Sequence, residues 1–339
     1  MKPQKPIDFH FQNQGKFALL AINSVYTDLP QSAFHLSDGT WVMSSVPVPD
    51  LGIWKQWIGS IRLERLGRAN LVLFVEEPSA NPVLDAVHRR LKNDLSVFFH
   101  LLHLRSGIEC AEGADLLCGS SEEGVPSILQ MSPMPTFYQS KGFRRAPITQ
   151  AWLEDGLVLC AGVVAMDADK TQFRRVIRGL NTLFKALKET VQDRLHQFVR
   201  SLEALILPDV GSTKNQFAHR CQTFARAGDD TRALLLEAFE MRSDTEHLHE
   251  WDRAVQRYPA AQREDVCWQR TRQIEQLACD AYARLLRNSA IRENFRTEAV
   301  IAGFWKLPDD KRRLLWGKPI DITLEPLVQE YDQWERAVM

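Results

Sequence analysis

The sequence predicts an α+β protein, an N-terminal mixed α/β domain followed by an all-helical region, and three observations carry that prediction. Strand-like apolar runs and turn signals crowd into the first half of the chain, while beyond Thr149 apolar residues recur at helical spacing. Between the two, Met131 to Pro147 reads Met-Ser-Pro-Met-Pro-Thr-Phe-Tyr-Gln-Ser-Lys-Gly-Phe-Arg-Arg-Ala-Pro, whose three prolines and one glycine forbid a long regular element. A chain of 339 residues is also long for one domain and comfortable for two. The expected domains are 1–146 and 147–339.

In the first domain Phe17-Ala-Leu-Leu-Ala-Ile22 reads as a strand, and the Asp38-Gly39 turn leads into another at Trp41-Val-Met43. Leu51 to Leu66, carrying Trp54 and Trp57, has the spacing of an amphipathic helix, and Asn70 to Val75 is a buried-strand run. Asn81-Pro82 opens a second helix, in which Val83, Val87, Leu91, Leu95 and Phe98 recur before Gly107 stops it. Beyond Gly107 the pattern weakens. His100 and His103 are three apart, a spacing that can share a metal, yet no third ligand stands nearby and Phe98, Phe99 and Leu101 mark them as ordinary histidines.

Composition narrows the function. Hydrophobic residues make up 45% of the chain, enough for two cores, and 42 basic against 43 acidic residues leave no global field to draw it onto nucleic acid or anionic lipid. Any RNA contact must come from a local patch. Six scattered cysteines form no Cys-x-x-Cys pair, which argues for reduced, mostly buried thiols rather than a zinc site or a secreted disulfide framework. The best apolar run, Leu71-Val-Leu-Phe-Val75, is far too short to span a bilayer, and a cytoplasmic protein without membrane partners is expected. Phosphate-loop, dinucleotide, serine-hydrolase and His-Glu-x-x-His patterns do not occur, and no cofactor or metal is implied.

Two stretches carry cations suited to phosphate. The proline-rich connector interleaves Phe137, Tyr138 and Phe143 with Lys141, Arg144 and Arg145, which suits base stacking and phosphate binding, or a connector whose aromatics tuck against a domain. Lys170 to Lys188 holds six basic residues and no acidic one. At about 100° per residue, Lys170, Arg174, Arg178, Lys185 and Lys188 fall on one stripe of a helix. Phe173, Val176, Leu180, Leu183, Phe184 and Leu187 form its other face. That stripe is either a nucleic-acid contact or a solvated face.

The remaining chemistry gathers at Arg242-Ser-Asp-Thr-Glu-His247-Leu-His249. Arginine grips phosphate through paired charge-assisted hydrogen bonds, and histidine exchanges a proton near neutrality. Four helices lead to and from this stretch: one ending at Leu207-Pro208, one capped by Ser212 or Thr213 and lined by Phe217, Cys221 and Phe224, and one from Asp229-Asp230 through Leu235 and Phe239 to Arg242. The fourth, from about Gln262, buries Cys267, Ile274, Leu277, Ala278, Ala281 and Leu285. If the third helix continues, His247 points about 140° from Arg242 and His249 returns to within about 20°; termination near Asp244-Thr245 frees His247 to swing back. Arg242 and Glu246 are also spaced for a plain helix-surface ion pair. An arginine at the end of an apolar stripe further needs a partner, a cleft or a second subunit, because an unpaired buried guanidinium costs several kcal/mol.

An arginine followed after four to six residues by a histidine resembles the signature of the HEPN superfamily, and the surroundings resemble its Apea-like branch. Phe198 to Leu207 resembles that domain's first helix, Phe239-Glu-Met-Arg-Ser243 its approach to the site, and Phe304-Trp305 with Trp316-Gly317 its C-terminal region. Phenylalanine at 239 replaces the usual tyrosine, Ser243 stands where a more strongly polar residue is common, and Leu248 where a glycine often follows the histidine. The resemblance implies a HEPN bundle with its core at about 190–305. It also implies metal-independent RNA cleavage, in defence or toxin-like control, through an Arg/His site shared across a homodimer. Arg242 would hold the phosphate and His247, or else His249, would move the proton. The alternative is a non-catalytic HEPN module that binds RNA or scaffolds an assembly, with the N-terminal domain as sensor.

Overall fold

The structure, a computed structural model, describes residues 9–36, 39–48, 50–105, 113–134 and 147–326. Two compact units form. The first holds the described residues up to 103 with 113–134 and 147–157, and the second holds 104–105 and 158–326.

The first unit is built on an antiparallel sheet. Its strands are β1 (Gln14–Asn23), β3 (Phe34–His35), β4 (Trp41–Met43), β5 (Ala69–Pro78), β6 (Ala114–Glu122) and β7 (Val125–Met134), ordered β3-β4-β5-β1-β6-β7. Central β1 is buried along nearly its whole length because both faces are covered, so it reads as a continuous apolar run. On one face Phe17, Leu19 and Ala21 join Phe74, Leu117, Trp54 and Ile58 in a single core. Trp54 closes a short 3-10 turn that leads into α1 (Lys55–Gly67), and its indole donates to the Pro126 carbonyl at 3.1 Å. Helix α2 (Ala86–Leu102) packs across β5, β1 and β6. It starts later than Asn81-Pro82 suggests, because the Asp85 side chain caps it, and this leaves Val83 outside the helix and exposed.

The β6–β7 hairpin occupies the region where the sequence pattern fades. Glu123 and Gly124 both take positive φ at its tight turn, while Gly119, Ser120 and Ser121 interrupt the apolar run of β6. Pro126 and Pro133 argue against a strand, yet β7 is an edge strand, where a missing N–H is tolerated. A two-residue parallel pair, β2 (Thr27–Asp28) with β8 (Ile148–Thr149), forms a separate small sheet.

The second unit is helical. Helix α3 (Gln150–Asp167) runs through the division between Leu157 and Val158, eleven residues beyond the sequence boundary at 146 (157 − 146). α4 (Arg174–Ala186), α5 (Val191–Ile206), α6 (Thr213–Arg220), α7 (Asp229–Glu246), α8 (Asp252–Val255) and α9 (Arg263–Arg287) follow, then α10 (Ser289–Glu293), α11 (Glu298–Lys306) and α12 (Asp309–Trp316). α5 is central and packs on α4, α7 and α9 through Leu195, Phe198, Leu202 and Leu205. Pro208 stops it after Leu207, which takes a left-handed cap at φ 46°. Trp305 of α11 donates to the Leu205 carbonyl at 3.0 Å, and Trp316 packs on Phe224 with centroids 4.3 Å apart. Cys267 is half-buried rather than buried in α9, while the other five apolar positions assigned to that helix are in the core. No helix among the described residues is long and apolar enough to cross a membrane.

Candidate functional site

Helix α7 carries Leu234, Leu235, Ala238 and Met241 into the bundle, and one further turn brings Arg242 to the rim with its side chain 15% exposed. The guanidinium lies 5.5 Å from the centre of the Phe239 ring, which itself packs on Phe217. Its Nη2 donates to Glu203 of α5 at 3.3 Å, and its Nη1 pairs with Glu246 one turn on. The helix-surface ion pair therefore forms, and a second carboxylate joins it. The charge at the end of the apolar stripe is answered within its own chain, so burial of Arg242 does not by itself require a subunit interface.

The helix ends at Glu246. Leu248 N–H donates to Thr245 O at 3.1 Å and His249 N–H to Asp244 O at 2.8 Å, the two bonds of a Schellman terminus with Leu248 left-handed at φ 58°. The question of which way a continuing helix would aim the histidines does not arise. His247 is the cap, His249 lies past the reversal, both are exposed, and their rings are 6.3 Å apart. The turn is anchored from behind, because buried Trp251 donates to Thr245 Oγ1 at 2.8 Å and Arg253 to buried Asp244 at 2.9 Å. Among the described residues no hydrogen bond joins either imidazole to Arg242.

Leu248 is left-handed at this terminus, a conformation that glycine adopts freely and that strains a side chain by about 1–2 kcal/mol. Leu248 is 95% exposed and has no packing to lose. Leu248→Gly is expected to stabilise the protein by about 1 kcal/mol, read as a higher urea midpoint at unchanged slope. An unchanged or lower midpoint would mean that the turn is not left-handed.

Three polar residues of α5, distant in sequence from the motif, complete the cluster. His196, Arg200 and Glu203 recur at i, i+4 and i+7 on one stripe of a helix whose other positions are largely apolar. That stripe meets the end of α7, for Gln192 reaches Glu250 at 3.3 Å below His196 and Glu203 reaches Arg242 above it. Burial lowers the pKa of His196, and the cations Arg242 and Arg200 lower it further, with Glu246 and Asp193 opposing. Burial raises the pKa of Glu203, with Arg242 opposing. The signal for these residues was present in the sequence as a polar stripe, but only packing against α7 gives it meaning.

The basic stripe survives in part. Arg174, Arg178 and Lys185 are exposed on α4, whereas Lys170 precedes that helix in a turn and Lys188 follows it. Lys188 is half-buried, and burial lowers its pKa, so it is no part of a continuous solvent-facing row. Arg144 and Arg145, with the aromatics of their connector, lie outside the described residues. His100 and His103 each turn Nδ1 to the carbonyl one helical turn back, at 2.6 Å to Ser96 and 2.9 Å to Phe99.

One arrangement in the first unit imitates a hydrolase relay. His88 stands 3.1 Å from Ser120 Oγ and 3.2 Å from Asp85, which Lys16 holds at a pKa of about 2. The Ser120 hydroxyl, however, donates to the Pro82 carbonyl at 2.9 Å, and both Ser120 and His88 are sealed from solvent. This network caps α2 and fastens it to β6; it has no route for a substrate. No family model, curated protein or solved structure matches the chain.

Proposed function

We propose that the helical unit is a metal-independent endoribonuclease of the HEPN kind, working in the cytoplasm as a homodimer in defence or toxin-like control. One observation supports this reading above the others: a guanidinium at the rim of the bundle shares one helix end with two solvent-exposed imidazoles, while a third imidazole, His196, lies on the facing stripe. A base removes the proton of an RNA 2′-hydroxyl, whose oxygen attacks phosphorus. The 5′-oxygen departs with a proton from an acid, leaving a 2′,3′-cyclic phosphate and a 5′-hydroxyl. Arg242 stabilises charge on the phosphoryl oxygens, and His247 moves the proton, with His249 next in rank.

Arg242 need not abandon the bundle to do this. Its contact with Glu246 is an i,i+4 pair whose carboxylate is exposed, the partner that a phosphate arriving from solvent would displace, and Glu203 then keeps the guanidinium oriented. The test is cleavage of a labelled RNA by the purified protein in excess chelator, with product ends read by mass spectrometry. Cyclic phosphate ends are expected, and strict dependence on a divalent ion would overturn the mechanism.

A second reading draws on the same pairing. A guanidinium held by two carboxylates, with no hydrogen bond to a histidine among the described residues, also suits a non-catalytic module that binds RNA or scaffolds an assembly, with the first unit as its sensor. RNA bound tightly but recovered intact would favour it.

A further inference from the structure

A cleft of about 630 Å³ opens between α4, α5 and the start of α11. At ~30 Å³ per water it holds the equivalent of about twenty solvent molecules, more room than a single phosphate needs. Four arginines line it. Arg175 is structural: it donates to the Ala204 carbonyl at 2.9 Å, the Glu203 carbonyl at 3.1 Å and the Glu298 carboxylate at 3.1 Å, and so ties all three walls together. Arg174, Arg178 and Arg200 differ, because among the described residues none makes a side-chain hydrogen bond or close ion pair to a carboxylate or carbonyl, although Arg200 lies near enough to Glu203 to interact with its charge, and all three are exposed. Both carboxylates of the cleft are already engaged, Glu298 by Arg175 and Glu203 by Arg242.

Gly179 and Ala204 both line the cleft where α4 and α5 approach closely: a Cβ on Gly179 would stand 2.6 Å from that of Ala204 and would meet the Tyr282 hydroxyl. That approach brings arginines from two helices to one opening. Its lining includes no aromatic side chain, so it has no platform on which a base could stack. Glu203 links it to the candidate site, since this residue lines the cleft while its carboxylate accepts from Arg242. We propose that the cleft is a sequence-independent phosphate channel, in which Arg174, Arg178 and Arg200 hold the backbone of a single RNA strand running on from the phosphate at Arg242. The channel rests on the RNA-cleaving reading for its direction, but its test does not require cleavage.

The probe is a fluorescein-labelled oligoribonucleotide with 2′-O-methyl groups throughout, which lacks the attacking hydroxyl, bound to full-length protein and followed by anisotropy across a salt series. Each phosphate contact on a single strand contributes a slope of about −0.7 in log K against log salt. The variant Arg174→Gln/Arg178→Gln/Arg200→Gln is expected to flatten the slope by about 2 and to weaken binding on the order of 10- to 100-fold at 0.1 M salt. Exposed Lys311→Gln on α12 should leave both unchanged, and uracil-only and adenine-only probes should behave alike. Three outcomes would overturn the channel: no binding of the oligonucleotide, an unchanged slope in the triple variant with its circular dichroism intact, or protection of the arginines by inorganic phosphate without RNA binding. A protein that binds in this way but never cuts RNA would keep the channel and refute the nuclease instead.

Discussion

Arg242→Ala and His247→Ala are each expected to reduce RNA cleavage by about 10²–10⁴-fold, the loss that follows removal of a preorganised cation or a proton-transfer group. The arginine variant needs a control for folding. Glu203 is mostly buried and burial already raises its pKa, so removing its partner leaves an unsatisfied carboxyl at a cost of about 1–3 kcal/mol. The double variant Glu203→Gln/Arg242→Ala relieves that cost. If activity is absent in both while the double variant melts like the unsubstituted protein, the loss is chemical. His196 reports the same event by NMR: with the Arg242 cation gone, one cause of its lowered pKa is gone, and its titration should move up toward the ordinary histidine range. The linked stability change has a defined sign. A histidine depressed in the fold contributes stability that is present above its unfolded pKa and is lost as pH falls through the folded value, so the Arg242 variants should lose less of it on acidification. Cleavage that survives both single substitutions would refute the assignment.

How far such a site can be read from sequence depends on whether its parts are local. The α+β division was legible because Phe17 to Ile22 and Asn70 to Val75 are short apolar runs bounded by breakers, whereas Leu195 to Ile206 and Ile274 to Leu285 repeat with the helical period. The β6–β7 hairpin was not, since Ser120 and Ser121 are buried polar residues and β7 carries prolines that only an edge position tolerates. At the site, Arg242, His247 and His249 lie on one stretch of chain and could be named together. Their geometry could not, because the end of α7 is decided by a left-handed leucine, a residue whose usual preferences oppose that conformation. Glu203 and His196 escaped for another reason. On α5 alone they are an ion-pairing and a half-buried polar residue, and only the packing of α5 on α7 makes them neighbours of Arg242. The basic row showed the opposite fault: a helical projection continued past the real ends of α4 and collected Lys170 and Lys188, which that helix does not carry.

The second large effect concerns how many chains make one active site. Acid, base and cation are three roles, and the Arg/His pair fills only part of them; a two-fold axis beside α7 would bring a second pair opposite the first. Yet His247, His249 and His196 all belong to the Arg242 end of a single chain, so one chain already holds a cation and more than one imidazole. Mixing separates the two arrangements. If arginine from one subunit works with histidine from its partner, a heterodimer of Arg242→Ala and His247→Ala chains contains one site lacking both groups and one site retaining both. Mixed samples are then expected to recover up to half of the native activity per heterodimer, about a quarter for the whole statistical mixture, from parents that are each inactive. No recovery, with subunit exchange verified by mass spectrometry, means that the arginine and histidine of one chain act together or that both pairs are required at once. Light scattering of the full chain distinguishes these further, because the shared site demands a dimer at micromolar concentration. A monomer that cleaves RNA would place the whole reaction on α5 and α7 of one chain, with His196 and His249 the first imidazoles to test beside His247.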